Sequence, residues 1–193
     1  MTIRLKLLCH ASTPAVRAPA FPADEPLDVQ GRRKLAALPH RLLRADRWVT
    51  SPALRAMQTA EALNIDAAVA PQLRDCGYGR WAGRAFEAVQ AEEPEAVAEW
   101  LRDPASAPHG GESIQDLTER VGDWLEAQSA TDGTTGALTH AAVIRAAIVH
   151  AIGAELRSFW RLDVAPLSLA RLNGGDGRWT LVSLGPTNAE STE

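Results

Sequence analysis

The feature of this sequence that most constrains its fold is the alternation of short apolar runs with segments of helical spacing. An apolar run at residues 2–9 opens the chain, and short apolar runs follow at 48–50 and 136–139. Segments whose apolar residues recur every three or four positions follow each of them. Strands that alternate with helices build a mostly parallel sheet covered on both faces. The pattern therefore predicts an α/β protein, a three-layer α/β/α sandwich with a mostly parallel central sheet.

The helices are predicted from the spacing of their apolar residues. Ser113, followed three residues later by Asp116, has the pattern of an N-cap and predicts the start of one of them. The proline-rich stretch 11–26 and the glycine-containing stretch 71–84 are predicted as loops. The predicted helices cover residues 27–44, 53–63, 86–101, 113–125 and 141–152.

The C-terminal part of the chain is predicted to form a β-hairpin. Two apolar stretches, 168–172 and 179–184, flank the turn-forming sequence Asn-Gly-Gly-Asp-Gly at 173–177. Residues 186–193 have no such pattern, and we expect them to form a loose tail.

Length and composition restrict the class of protein. The chain is close to the usual size of one domain, so we predict a single domain over 1–185, with 84–111 as an insertion or lid. The net charge of −4 is not that of a nucleic-acid binder. The N-terminal apolar stretch is too short for a secretory signal, and no run approaches a membrane span, so we expect a cytoplasmic protein with no membrane partner. Two cysteines, Cys9 and Cys76, are too few for a disulfide framework and indicate a reducing compartment.

Polar side chains follow three of the predicted strands. His10 follows the first strand, Arg55 lies just beyond the second, and His140 follows the third. In open α/β sheets, ligands bind outside the carboxyl ends of the strands. We therefore expect these three side chains to share one cleft.

The segments around these residues resemble, in the same order, motifs of the histidine phosphatase superfamily, which includes cofactor-dependent phosphoglycerate mutases and α-ribazole phosphatases. The resemblance spans residues 3–150 and implies phosphoryl transfer on an α/β fold. It rests on Cys-His-Ala at 9–11, Ser-Pro-Ala-Leu-Arg-Ala-Met-Gln-Thr-Ala at 51–60, Leu-Arg-Asp-Cys-Gly-Tyr-Gly-Arg-Trp-Ala-Gly at 73–83, Pro-His-Gly-Gly-Glu-Ser at 108–113 and Thr-His-Ala at 139–141.

The resemblance also implies a role for each matching residue. His10 matches the nucleophile, whose neutral ring nitrogen attacks phosphorus and forms a phosphohistidine. Arg55 matches the arginine that binds the phosphoryl oxygens, and His140 matches a second catalytic histidine that contacts the phosphate and stabilises its charge. Asp75 stands where many members carry Glu and is expected to be the acid and base. Thr13, in the loop after His10, is a further candidate for phosphate binding.

Cys9 departs from the family, which carries an arginine there that grips the phosphate. The loss of such a donor costs on the order of 2–4 kcal/mol of transition-state stabilisation. Arg17, eight residues further on, supplies the missing charge in one interpretation. In the others, the enzyme works slowly or on a substrate with its own contacts, or the site has lost catalysis and kept binding. Ala11 in place of the family glycine is tolerated unless its φ is positive.

A nucleophilic role for Cys9 itself is disfavoured. Cysteine-based phosphatases need an arginine six residues after the cysteine, and that position is Ala15. Because both cysteines lie in active-site motifs, oxidative inactivation through Cys9 and Cys76 is a separate hypothesis, against the simpler interpretation of two unreactive thiols.

The function predicted from these residues is a metal-independent phosphomonoesterase that acts on a small phosphorylated metabolite through a phosphohistidine. No cofactor is implied, and no His/Asp/Glu group has the spacing of a metal site. Phosphoglycerate mutase activity is an alternative, but the segment between Ala60 and His140 leaves little room for the insertion that closes such a site. A non-catalytic phosphate-ligand binder is the other alternative.

Other polar and aromatic residues are given structural roles. Arg145, one turn past His140, is expected to anchor its helix, and Trp81 and Trp100 either line a pocket or pack in the core. Three further histidines are expected at the surface or at helix ends: His40, His109 and His150.

Overall fold

Six strands form one mixed sheet in the computed structural model, which describes residues 3–39, 43–129, 132–175 and 177–187. The strands are β1 Ile3–Cys9, β2 Arg47–Thr50, β3 Ala68–Val69, β4 Gly133–Thr139, β5 Ser168–Gly175 and β6 Arg178–Pro186. The α-helices are α1 Pro14–Arg17, α2 Val29–Ala36, α3 Leu54–Ala62, α4 Phe86–Glu92, α5 Pro94–Arg102, α6 Ile114–Gln128 and α7 Ala141–Ala151. Short 3-10 helices cover Pro71–Leu73, Gly79–Trp81 and Leu156–Arg161.

The strand order is β3-β2-β4-β1-β5-β6. The first four strands pair in parallel, and β5 is antiparallel to both of its neighbours. The carboxyl ends of β1, β2 and β4 therefore meet at one edge of the sheet. The predicted mostly parallel sheet and the predicted C-terminal hairpin are both confirmed.

The two faces of β1 are buried in different layers because successive side chains of a strand point to opposite sides. Leu5 and Leu7 belong to the apolar cluster that includes α6 and α7. Leu8 belongs to the cluster that includes α2 and α3. Helices thus cover both faces, which confirms the three-layer sandwich.

Two predicted helices have different bounds in the structure. The helix predicted over 27–44 is the shorter α2, which begins after Asp28, whose carboxylate caps Gly31 N–H. Pro39 disfavours continued helix, and residues 40–42 lie outside the described chain. The single helix predicted over 86–101 is wrong: α4 and α5 are separate, because Pro94 cannot donate a backbone hydrogen bond inside a helix.

The regions predicted as loops contain short helices. Pro14 starts α1, where its missing N–H costs nothing because the first turn has no partner for it. Strand β3 was not predicted because it is only two residues long. The predicted tail begins too early, since β6 includes Pro186 and Thr187 is buried; residues 188–193 lie outside the described chain.

The segment 84–111 contributes to a small apolar cluster beside the main core, together with Trp81 and Phe21. Trp81, Val89, Val97 and Trp100 pack around Phe21 from the loop after β1. A backbone bridge between Ala20 and Ala85 joins the same two segments. The role of 84–111 as an insertion or lid stays a prediction. None of the helices in the described parts of the chain is long and apolar enough to cross a membrane.

Candidate active site

The ends of β1 and β4 place His10 and His140 side by side. Cys9 pairs with Thr139 in the parallel register, so the next residue of each strand leaves the sheet at the same level. The backbone N–H of His10 donates to the Thr139 carbonyl at 2.9 Å. The two imidazole rings are 5.1 Å apart between centroids, and both are buried. The predicted convergence of these histidines is therefore found.

The hydrogen bonds of His10 define which ring nitrogen is free to react. Nδ1 lies 2.7 Å from the Ala11 carbonyl oxygen. A carbonyl can only accept, so Nδ1 carries the proton. Nε2 then has a lone pair, and the Arg55 Nε–H donates to it at 3.3 Å. Burial lowers the pKa of His10 below the usual imidazole value, which keeps the ring neutral near pH 7. A neutral imidazole with an available lone pair is the form a nucleophile requires.

Ala11 fits the backbone at the position where the resemblance to the family predicts a glycine. The non-glycine residues with positive φ in the described chain are Asn64 and Leu167, so Ala11 adopts ordinary backbone. The Ala11 N–H donates to Thr59 Oγ1 at 3.1 Å. This substitution leaves the loop after β1 intact.

Arg55 is held rigidly in the first turn of α3. Its Nη2 donates to Asp75 Oδ2 at 2.6 Å, and its Nη1 donates to the Ala23 carbonyl at 2.6 Å. The side chain is buried, with 3% exposed. A guanidinium fixed in this way presents its donors without further loss of side-chain entropy, which suits the binding of a phosphoryl group.

Asp75 and His140 form a buried pair beside Arg55. Burial opposes ionisation of Asp75, but the charge of His140 in its protonated form and that of the Arg55 guanidinium outweigh it, so the pKa of this carboxyl lies below its usual range. Burial also lowers the pKa of His140 to about 3, against the opposing effect of Asp75. In this site near pH 7, Asp75 is therefore ionised and His140 is neutral.

Ser51 also lies in the site, although it is not among the site residues predicted from the sequence. Its Oγ lies 2.7 Å from His140 Nε2 and accepts the Ala53 N–H at 3.2 Å, which leaves its own hydrogen for Nε2. The proton of His140 is then on Nδ1, which lies 3.3 Å from Asp75 Oδ2 without the angle of a hydrogen bond. Ser51 directly follows β2, and a polar residue at the end of a strand is the feature that could have predicted it. In the structure its side chain is buried.

The structure separates the two predicted phosphate-binding residues of the first loop. Thr13 is fully buried, lines the cavity beside His10, and donates from Oγ1 to Glu25 Oε1 at 3.0 Å. Arg17 is exposed at the end of α1 and does not line that cavity. The interpretation that Arg17 supplies the missing charge is therefore disfavoured, because Arg17 is exposed and lies outside the lining of the cavity beside His10.

Cys9 packs into the core rather than into the site. Its side chain is 1% exposed and lies in the cluster that includes α6 and α7. Burial raises the pKa of its thiol to about 12, and burial likewise raises the pKa of Cys76 above the usual range. Both thiols are therefore protonated near pH 7, which disfavours the thiolate chemistry that oxidation requires.

A cavity of about 190 Å³ opens beside His10 and Asp75. One of its walls includes Arg145, which was expected only to anchor α7; its Nε does donate to the Leu162 carbonyl, at 2.8 Å. Trp100 belongs both to this cavity and to the small aromatic cluster, whereas Trp81 is fully buried. Further lining residues are Thr13, Glu25, Tyr78, Ala141, Ala142, Phe159 and Trp160.

The other histidines are not all where they were expected. His109 is buried against Trp81, with ring centroids 4.9 Å apart, and its Nδ1 accepts the Gly111 N–H, so its placement at the surface is corrected. His150 ends α7 as expected and pairs with Glu126 at 3.0 Å. His40 lies outside the described residues.

Within the described ranges, no group of three or more His, Cys, Asp or Glu side chains is arranged to hold a metal ion.

Comparison with known proteins identifies relatives over almost the whole chain. The sequence profile of the histidine phosphatase superfamily (branch 1) matches residues 5–187. Phosphoserine phosphatase 1 of Hydrogenobacter thermophilus is 25% identical over 173 residues, which cover 85% of this chain and 82% of that protein.

Solved structures show the same fold. A mycobacterial glucosyl-3-phosphoglycerate phosphatase, in complex with VO3, superposes with a TM-score of 0.82 at 25% identity, over 92% of this chain and 96% of that one. A putative α-ribazole-5'-phosphate phosphatase of Escherichia coli superposes with a TM-score of 0.84 at 23% identity, over 96% of this chain and 97% of that one.

Proposed function

This chain belongs to the histidine phosphatase superfamily (branch 1) and is a phosphatase, and we propose that it is a metal-independent phosphomonoesterase that acts on a small phosphorylated metabolite. The observation that carries the proposal is the buried cluster of His10, Arg55, Asp75 and His140 at one edge of the sheet. A nucleophile, an anion-binding fork and an acid–base group are the parts that covalent phosphoryl transfer needs.

In the first step, His10 Nε2 attacks phosphorus and the ester P–O bond breaks. The phosphoryl group transfers to the ring, and the leaving oxygen takes a proton. Arg55 Nε and the unpaired His140 Nδ1–H donate to the phosphoryl oxygens, whose charge they stabilise in the transition state. These donors are fixed before the substrate binds, so little reorganisation is needed during the reaction.

Asp75 supplies the proton of the first step and removes one in the second. A bound phosphoryl group brings negative charge beside the carboxylate, raises its pKa and competes with it for Arg55. Asp75 then holds the proton that the leaving oxygen receives. In the second step it accepts a proton from the water that attacks the phosphohistidine, and inorganic phosphate leaves.

Non-catalytic binding of a phosphorylated ligand is a second candidate, and Cys9 is the observation that favours it. Cys9 packs in the core and does not line the cavity, so it offers no hydrogen-bond donor to a phosphoryl group there. A binder of this kind holds the phosphoryl group through Arg55 and His140 without turnover. It is distinguished from the enzyme by tight binding of inorganic phosphate in the absence of phosphate release.

The first test is phosphate release without added metal. The substrates are p-nitrophenyl phosphate and a panel that includes O-phosphoserine, glucosyl-3-phosphoglycerate and α-ribazole 5'-phosphate. We expect release by the wild type and loss of at least about 1,000-fold in His10→Ala, because the nucleophile is gone. Activity of His10→Ala equal to that of the wild type contradicts the mechanism. Transfer of the phosphoryl group to a second metabolite, without release of phosphate, indicates the mutase alternative.

A matched pair of arginine variants tests the phosphoryl site. Arg55→Ala is expected to lower kcat by about 100-fold or more, the usual cost of removing a preorganised donor. Arg17→Ala is the control, since Arg17 is exposed and outside the cavity, and it is expected to behave as the wild type. A large loss of kcat in Arg17→Ala, with the kcat of Arg55→Ala unchanged, would assign phosphoryl binding to Arg17 instead of Arg55.

A further inference from the structure

We propose that Arg145, with the indole N–H groups of Trp100 and Trp160, binds a carboxylate on the leaving group of the substrate. This inference rests on the proposed phosphomonoesterase function and narrows its substrates to phosphomonoesters that carry a carboxylate. It concerns the part of the cavity beyond the phosphoryl site.

Arg145 is held in place with its terminal nitrogens unused. Its Nε donates to the Leu162 carbonyl at 2.8 Å, and its Cζ lies 5.7 Å from the centroid of the Phe159 ring. Nη1 and Nη2 have no hydrogen bond or ion pair within the described chain. A fixed guanidinium with two free N–H groups matches the two oxygens of a carboxylate.

The two tryptophans add donors to the same cavity. Trp100 and Trp160 both line it, and their rings pack against each other with centroids 4.6 Å apart. Each Nε1 is buried, and neither has a partner in the described part of the chain. Because an indole N–H only donates, a ligand that satisfies both must offer acceptor oxygens. Unpaired buried donors are costly, so their presence together beside an unpaired arginine indicates an anionic ligand.

The position of Arg145 assigns it to the leaving group rather than to the transferred phosphoryl group. His140 is the N-cap of α7, and Arg145 lies more than one helical turn further along the axis of that helix. Its contacts are with the ring of Phe159, which lines the cavity, and with the Leu162 carbonyl. The phosphoryl group, by contrast, is already surrounded by donors from Arg55 and His140.

Two pairs of substrates isolate the carboxylate. O-phosphoserine differs from O-phosphoethanolamine by a carboxylate, and 3-phosphoglycerate carries a carboxylate where glycerol 3-phosphate has an alcohol. We expect the wild type to prefer the carboxylate member of each pair by about 10- to 100-fold in kcat/KM, the range of a hydrogen bond to a charged group. The absence of any preference in both pairs overturns the proposal.

Arg145→Met tests the residue while keeping an apolar stem of similar length. The expected result is a collapse of the preference within each pair, because the carboxylate is the part of the substrate that the guanidinium binds. Arg157→Met is the control: Arg157 is exposed on the neighbouring 3-10 helix, and the preference should persist. Trp100→Phe keeps an aromatic ring and removes the N–H, and should reduce the preference by a smaller factor. An equal fall for all four esters in Arg145→Met assigns Arg145 to the phosphoryl group and overturns the proposal.

Binding to the His10→Ala protein separates this proposal from the proposed function. Calorimetric titration with the four esters measures affinity without turnover. We expect tighter binding of the carboxylate members, and loss of that difference when Arg145→Met is added. If the wild type hydrolyses none of the esters, the proposed function fails, whereas the difference in affinity still decides the carboxylate site. Equal affinities for the two members of each pair overturn the site.

Discussion

Cys9 stands at the position where the resemblance to the family leads us to expect an arginine. It ends β1 next to the nucleophile, yet its side chain packs into the core between β1 and α7 and contributes no donor to the cavity. Arg17 is exposed and lies outside the lining of the cavity, which disfavours it as the replacement. In the proposed mechanism the phosphoryl group is therefore bound chiefly by Arg55, which is fixed beside His10.

Cys9→Arg is expected to raise turnover and to lower stability. The small side chains of Ala141 and Ala142 line the cavity and leave a route for a longer side chain. A second guanidinium adds transition-state stabilisation on the order of 2–4 kcal/mol, or about 30- to 1,000-fold in kcat. Burial of its stem and charge in a packed core lowers the melting temperature.

The measurement is kcat for p-nitrophenyl phosphate, per folded protein, beside Cys9→Ser as a control of similar volume without charge. The control is expected to keep the activity of the wild type. An inert Cys9→Arg protein that is folded and binds phosphate tightly contradicts the interpretation of a weakened enzyme and favours the binder.

Helix α2 shows how an element outside the site positions the nucleophile's loop. Gly31 packs directly against Ser12: a Cβ at this glycine would lie 2.5 Å from the Ser12 carbonyl oxygen and 2.9 Å from its nitrogen. Asp28, the N-cap of α2, also accepts a hydrogen bond from Ser12 Oγ at 3.0 Å. The first turn of α2 thus supports the backbone two residues after His10.

Gly31→Ala is expected to destabilise the protein although alanine is the better helix former. Its intrinsic propensity favours the variant by about 1 kcal/mol. The contact with Ser12 backbone cannot relax as a flexible side chain does, and overpacking of this kind costs about 1–3 kcal/mol. We expect a lower free energy of unfolding and a fall in kcat/KM as the loop shifts.

Gln30→Ala is the matched control, since Gln30 is exposed on the same helix. It should stabilise by a few tenths of a kcal/mol through propensity alone. Urea unfolding measures the free energy of unfolding of both variants. A Gly31→Ala protein as stable as Gln30→Ala contradicts the close contact between Gly31 and the Ser12 backbone.

The whole molecule loses stability in acid because two histidines of its site are buried as neutral rings. His10 and His140 both have a pKa lowered chiefly by burial, that of His140 to about 3. The unfolded chain has ordinary histidines with a pKa near about 6.5. Below that pH the unfolded state binds protons that the native state does not, so stability falls as the pH falls.

We expect the free energy of unfolding to be constant above about pH 7 and to decrease below about pH 6, by roughly 1.4 kcal/mol per pH unit for each such histidine. Asp75, whose pKa is also below its usual range, adds to the loss at still lower pH. Urea titrations between about pH 8 and about pH 4 measure the slope.

His140→Gln should give a shallower slope, because one buried proton-binding group is removed. Stability that rises on acidification in the wild type contradicts the neutral state of the buried histidines.

Most of the fold and the core of the site could be predicted from the sequence. The alternation of elements is a local pattern, and the family motifs carry His10, Arg55, Asp75 and His140 in order. The predicted helix over 86–101 failed at Pro94, whose effect on the backbone is itself local. Ser51 was present in a motif, but its contact with His140 joins residues that are far apart in the chain.

The amino-acid sequence by itself determined the α/β class and the capping of α6 at Ser113, and its motifs predicted the four residues that the structure brings together, because periodicity, capping and motif order are properties of neighbouring residues. Only the tertiary structure decided that Arg17 lies outside the site and that Arg145 lines it. It also decided that Cys9 faces the core and that His109 is buried. These are questions of which side chains meet across the sheet and the cavity, and packing of segments distant in sequence settles them.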